Sequence, residues 1–303
     1  MKKIFTFLAL VAVLGLTFYF REDISKFYVE NFSTSNRDIK LTYKNDYYRD
    51  FNYNYVKITD DFNAKSKPQL INIYYTIINS GIDKFTFYCS KSYDNCINDV
   101  VGLANNQTVL SNINSFVHPF NSFSSIETKY DSFGRVTLKI NKAYTPDQIK
   151  SINNKIKEII TKQVKNTKDE REIIKIIHDY IINNTKYDSD KSDRNIEKYN
   201  SNIAYGPLLQ GYGLCGGYTD AMAIFLDYYD IPNYKVISEN HIWNAVYLNN
   251  KWYHLDLTWD DPVMKDGSNT LEYTFFLITT KELEEQATNQ HIFNKSVFSE
   301  VAK

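Results

Sequence analysis

Cysteine is scarce, with only Cys89, Cys96 and Cys215 among 303 residues. A chain of this length has room for about two domains, each with its own core, so it is no miniprotein stapled by disulfides. Neither a CxxC nor an HExxH pattern occurs to hold a metal. Surplus positive charge is missing too. Lys plus Arg total 35 against 36 for Asp plus Glu, giving a net charge of -1. Nothing is left over to neutralise phosphates, and nucleic acid is not an expected partner. Beyond the N-terminus no apolar run is long enough to span a bilayer, and no repeat or low-complexity segment is evident. The hydrophobic share of 43% and charged share of 23% are ordinary globular values, which exclude a disordered chain and a polytopic membrane protein. Aromatic residues are plentiful, with 25 Tyr and 19 Phe beside many Asn, Ile and Lys. From that bias alone no binding mode follows.

At the N-terminus Lys2 and Lys3 precede a nearly unbroken apolar run from Ile4 to Phe20. This predicts an export signal with its basic flank inside, placing everything after Arg21 outside the cytoplasm. The bulky residues from Leu16 to Phe20 offer no small-x-small cleavage site. Residues 1–22 are therefore read as a signal peptide or a signal anchor, with a retained anchor favoured. Outside the cytoplasm cysteines oxidise in pairs. Cys89 and Cys96 bracket a short polar stretch and are close enough to pair, although two free buried thiols are the equal alternative. Cys215 is left over, and an odd thiol in an exported protein is a candidate for chemistry.

The pattern along the chain predicts an α+β protein. Residues 30–142 read as a smaller mixed unit of undecided role. Tyr53, Tyr55 and Ile58 alternate as short strands, Pro68 to Asn79 as a helix stopped by Gly81, and Lys84 to Tyr88 as a strand. Phe123 to Tyr130 and Arg135 to Ile140 form a hairpin around Asp131–Gly134. Residues 145–303 read as a second domain. Its first helix opens with a capping box at Thr145 and Gln148, and its second with Thr167 and Glu170. The polar stretch from Asp188 to Ser201 has no apolar period and is expected to be an exposed loop.

Chemistry concentrates in two places. Gly211–Gly217 sets Cys215 among glycines just before a helical pattern of Tyr218, Met222, Phe225 and Leu226. A thiol at a helix N-terminus faces the positive end of the macrodipole, and small neighbours let a substrate backbone come close. A buried Cys in a Gly-rich turn is the equally simple alternative. The second place is His241 to Asp256, where Asn249-Asn250 suits the left-handed conformations of a two-residue hairpin. Facing Leu248 with Lys251 pairs Ala245 with His254 and puts His241, Trp243, His254 and Asp256 on one sheet face. Asp256 then reaches His241, fixes its tautomer and leaves the other ring nitrogen for a thiol. His254 is the competing base, and His241, His254 and Asp256 as a zinc set is the minor alternative. His118, His178 and His291 are read as structural. Trp243, Trp252 and Trp259 are cleft walls or core, and Asp260 and Asp261 cap a turn before Pro262.

The motifs LCGGYTDA around Cys215, HIWNAV from His241 and WYHLDLTWDDP around Asp256 resemble the transglutaminase-like superfamily of bacterial papain-fold thiol enzymes. IIHDYIINNTKYD, AYGPLLQGYGLC and EYTFFLITTKEL extend the resemblance over roughly residues 165 to 285. It implies a papain-like core, with the Cys helix packed on an antiparallel sheet that carries His and Asp. Cys215, His241 and Asp256 become the catalytic triad, with no cofactor and no metal, and Gln210 a candidate oxyanion donor. The implied activity is acyl transfer on peptide or protein amides of the cell envelope, by peptidase or transglutaminase-type chemistry. The family also contains inactive copies, so a binding or scaffolding module is the alternative.

Overall fold

The computed structural model describes residues 10, 13–24, 39–263 and 270–303. The predicted export segment therefore falls partly outside the described residues. Among the described residues no helix is long and apolar enough to cross a membrane.

The first half contains β1 (Asn63–Ala64), α1 (Lys67–Asn79), β2 (Lys84–Cys89), α2 (Cys96–Ala104), α3 (Gln107–Ser115), β3 (Phe123–Tyr130) and β4 (Arg135–Lys142). Its strands form a four-stranded sheet in the order β1-β2-β4-β3. Cys89 and Cys96 are joined in a disulfide across a Cα separation of 5.8 Å, tying the end of β2 to the start of α2. The helix, strand and hairpin expected here are present. The short strands expected around Tyr53 to Ile58 are not, and this stretch is irregular. Side-chain oxygens serve its backbone in place of a strand partner. Lys57 N–H donates to Asn72 Oδ1, Ile58 N–H to Asn52 Oδ1 and Thr59 N–H to Thr76 Oγ1.

The second half begins with α4 (Pro146–Ile159) and α5 (Glu170–Asn184), followed by β5 (Lys186–Tyr187), α6 (Ser189–Arg194) and β6 (Tyr212–Gly213). Then come α7 (Cys215–Tyr228), β7 (Asn233–Ile237), β8 (Ile242–Leu248), β9 (Lys251–Leu255) and α8 (Thr280–Glu285). The capping box at Thr145 and Gln148 forms as expected. The second helix is capped differently. Asp169 takes the N-cap place expected of Thr167 and accepts from Glu172 N–H, because an aspartate at this position also favours the positive helix end. The stretch expected as loop from Asp188 carries the short helix α6, started by the Asp188 side chain accepting from Lys191 N–H.

The three-stranded sheet β7-β8-β9 is antiparallel. Leu248 faces Lys251 and Ala245 faces His254, the register read from the sequence. Asn249 and Asn250 both take positive φ, 50° and 62°, as a type I′ turn demands. Both faces of β8 are buried. Val246 and Leu248 join an apolar cluster with α4, α5 and α7, whereas Trp243 and Ala245 join a second cluster filled largely by residues 53–140. The first half thus covers the back of the sheet, and Phe298 and Val301 from the C-terminal end enter the same cluster.

Arg49 anchors this junction. Its guanidinium donates to Asp227 Oδ2 at 2.7 Å, Asn233 Oδ1 at 2.9 Å and the Phe116 carbonyl at 3.2 Å. His118 lies beside it, with Nε2 3.5 Å from Asp227 and Nδ1 accepting from Phe120 N–H. Burial, helped by the nearby charges of Arg49 and Lys235 and opposed by Asp227, holds this imidazole down at about 4. A base depressed on folding contributes stability above its unfolded pKa, and loses it as pH falls through the folded value. The His118 contribution therefore disappears between about pH 6.5 and 4. His118→Asn keeps an acceptor for Phe120 N–H but cannot titrate. Its melting temperature should fall less between pH 7 and pH 5 than that of the wild type, by an amount equivalent to about 2 kcal/mol. Parallel scanning calorimetry at the two pH values reads this, and equal falls would exclude His118 as the acid-sensitive group.

Candidate active site

Three local devices bring the site together. The Cys215 residue opens α7, and no side chain caps this helix start, so the first N–H groups point outward unpaired by the helix. A loop lies against the first turn so closely that only glycines fit. A Cβ on Gly217 would stand 2.2 Å from the Ser201 carbonyl oxygen, and one on Gly216 2.8 Å from that of Asn202. Tyr218 then fixes the helix from inside, donating to Asp261 Oδ2 at 2.5 Å.

His241 sits immediately before β8 in a tight turn, with Ser238 N–H donating to the His241 carbonyl and His241 N–H donating to Ser238 Oγ. Asp256 follows β9 directly, so the hairpin register delivers both residues to the same end of the sheet. One carboxylate oxygen, Oδ1, accepts from the backbone N–H groups of Thr258 (2.9 Å) and Trp259 (3.2 Å). The other, Oδ2, lies 2.5 Å from His241 Nε2. That leaves the second ring nitrogen of His241 for Cys215, which lies near enough to act on the ring. Cys215 is partly exposed while His241 and Asp256 are buried, so a substrate reaches the thiol first.

The electrostatics follow from this burial. Desolvation works against a charged His241, but the charge and hydrogen bond of Asp256, with the Cys215 thiol, outweigh it and raise the imidazole to about 10. Burial would raise the Asp256 carboxyl, yet His241 and His291 hold it well below the usual carboxylate range. The pair therefore persists as imidazolium and carboxylate across the neutral range.

His254 is placed away from this chemistry. Its Nδ1 accepts from Trp243 Nε1 at 2.9 Å, and its Nε2 is 3.0 Å from Thr280 Oγ1, which donates to the Val301 carbonyl. Burial and the neighbouring His291 lower it to about 3, so it stays neutral and holds the sheet to the C-terminal segment. The zinc set of His241, His254 and Asp256 is not assembled. His291, read from sequence as structural, takes the place beside the carboxylate, its Nε2 lying 2.9 Å from Asp256 Oδ2. His241, Asp256 and His291 have ligand-type atoms within 4.8 Å of one another, but these atoms already bond to each other. A lone histidine some 50 positions downstream of the base carries no local pattern, and nothing in the sequence singled it out.

Gln210 ends the turn before β6, and its Oε1 accepts from Asn200 N–H at 2.8 Å, leaving only the amide end free of that bond to act as a donor. Trp243 is core, stacked beside His241. Trp259 stands edge-on to His291 and donates from Nε1 to Gln290, whereas Trp252 packs on Tyr234 and Tyr247 away from the thiol. Asp260 and Asp261 do more than cap a turn. Asp260 Oδ2 meets His178 Nε2 at 3.1 Å and its Oδ1 accepts from Phe275 N–H, while Asp261, lifted by burial to about 6, receives the Tyr218 hydroxyl. They bind the turn after Asp256 to α5 and α7.

Comparison with known families decides the class of this core. The profile of the transglutaminase-like superfamily matches residues 157–257. Those residues belong to the transglutaminase-like superfamily. The matched third of the chain contains Cys215, His241 and Asp256, so the transglutaminase-like core and the assembled thiol site coincide. Among solved structures, a TGase is similar at 17% identity and a TM-score of 0.34, covering 45% of this chain and 45% of that one. A proposed cysteine protease from Cytophaga hutchinsonii is similar at 15% identity and a TM-score of 0.27, covering 49% of this chain and 65% of that one. The chain thus spans less than two thirds of either neighbour, and neither similarity carries the argument. No curated protein matches the chain.

Proposed function

We propose that this protein is an exported thiol enzyme that transfers acyl groups from peptide or protein amides. The convergence of Cys215, His241 and Asp256 within the transglutaminase-like core carries this reading. The Cys215 thiolate attacks the carbonyl carbon, and the His241 imidazolium donates its proton to the leaving nitrogen as the C–N bond breaks. A thioester remains on Sγ. Water, deprotonated by His241, releases a carboxylic acid, or a primary amine attacks in its place and forms a new amide. The developing oxyanion would meet the Cys215 N–H at the uncapped helix start, with the Gln210 amide as a second donor. Asp256 orients His241 and keeps it charged. Export is supported by the basic and apolar N-terminal sequence and by the Cys89–Cys96 disulfide, which suits an oxidising compartment.

Casein incubated with and without a fluorescent primary amine tests the reaction, separating cleavage from amine incorporation. Activity should require Cys215 and should fade above about pH 10, where the raised His241 loses the proton the leaving group needs. The same sign governs stability, since a base raised on folding contributes below its unfolded value and loses that contribution as pH climbs through about 10. Asp256→Asn removes the charge that opposes desolvation. Its alkaline limb should move down by about two units or more, and an unmoved limb would mean that Asp256 does not set the protonation of His241.

A further inference from the structure

We infer that His291 is a positioning residue of this site, a hydrogen-bond donor that holds Asp256 Oδ2 in place for His241. The inference rests on the proposed pairing of Cys215 with His241 and extends it by one residue.

Asp256 has no freedom left when its bonds are followed atom by atom. Oδ1 is occupied by two backbone N–H groups, and Oδ2 faces two imidazole nitrogens, His241 Nε2 and His291 Nε2. A buried carboxylate with an unfilled lone pair is costly, and it is free to turn or to take a proton. His291 fills that position. Its other nitrogen, Nδ1, is hydrogen-bonded to Thr288 Oγ1. With the threonine hydroxyl as donor there, Nε2 is the nitrogen that carries a proton for Asp256. The arrangement makes Thr288 the residue that selects the tautomer, as a partner of one imidazole nitrogen commonly does.

The ring is also held mechanically. It stacks on Phe275 with centroids 4.8 Å apart and meets the edges or faces of Trp243 at 4.9 Å and Trp259 at 5.1 Å. It stands perpendicular to His241 at 5.3 Å. An aromatic donor in this box excludes water from the carboxylate while supplying the hydrogen bond that water would have made. The charged and titratable groups facing it are Asp256, His241 and, across Trp243, His254. A carboxylate kept dry, ionised and aimed stabilises the His241 imidazolium, and through it the thiolate.

The test reads iodoacetamide alkylation of Cys215 against pH in the full chain, for wild type, His241→Ala, His291→Leu and His291→Gln. Leu fills space without donating, whereas the Gln amide can reach the same carboxylate oxygen. His291→Leu should slow labelling at pH 6 about tenfold and move the labelling midpoint up by about one unit, and His291→Gln should recover most of the loss. Wild-type rates in His291→Leu would overturn the inference, and equal losses in both variants would reduce His291 to packing. If instead His241→Ala labels like wild type, the thiol-imidazole reading itself fails, a result distinct from either. A measurement on the unaltered protein covers the case of variants that do not fold. Long-range ¹H–¹⁵N spectra of the histidine rings should show a proton on His291 Nε2, and an unprotonated Nε2 would overturn the assignment.

Discussion

Cys215→Ala should abolish acyl transfer and iodoacetamide labelling together, and His241→Ala should lower turnover by about a thousandfold or more while leaving the fold in place. The reasoning is geometric. Cys215 is the free thiol among the described cysteines, since Cys89 and Cys96 are joined. His241 is bonded to a carboxylate and is the described histidine on which that thiol acts. His254→Ala makes the contrast. It removes the acceptor of Trp243 Nε1 and the partner of Thr280, so it should cost stability while the remaining folded enzyme keeps turning over. Casein turnover per folded molecule, normalised by active-site titration, separates the two. Loss of turnover in His254→Ala equal to that in His241→Ala would show that the base has been misassigned.

Cutting the ion pair between the halves should have the largest effect on stability. Arg49→Ala leaves Asp227 without its guanidinium, and the Asp227, Asn233 and Phe116 acceptors lose a shared donor at once. Arg49 has only 9% of its side chain exposed and Asp227 19%, so solvent replaces the lost bonds poorly. Removing one partner of a buried pair typically costs about 3 to 5 kcal/mol. Arg49→Met, which keeps most of the length, should be no better, because the stranded carboxylate and not the missing volume sets the loss. Urea unfolding read by tryptophan fluorescence measures it. A change under about 1 kcal/mol would mean that the Arg49–Asp227 pair does not hold the halves together.

Much of the site could be read from residue order, because its parts are local. A two-residue Asn-Asn turn fixes a hairpin register, and that register alone sets His241 and Asp256 at one end of a sheet. Glycines around a thiol announce a helix start packed closely by another segment. His291 could not be read this way. It is brought to Asp256 by the packing of Phe275, Trp243 and Trp259, and no spacing in sequence encodes such a meeting. The irregular stretch from Tyr53 to Ile58 departs from its expected strands for a related reason. Alternating Tyr and Ile imitate a strand, but the side chains of Asn72 in α1 and of nearby Asn52 satisfy the backbone and remove the need for a partner strand. The N-cap at Asp169 in place of Thr167 shows a limit on a smaller scale, since both residues suit the position and the aspartate's charge favours it there.

The doubly covered sheet has a consequence for how this molecule can change over generations. One strand, β8, presents Trp243 and Ala245 to the first half and Val246 and Leu248 to the nucleophile's helix. A mutation that suits one side is judged at once by the other. A change in the leading half that displaces Trp243 or Ala245 is therefore felt on the face that carries Val246 and Leu248.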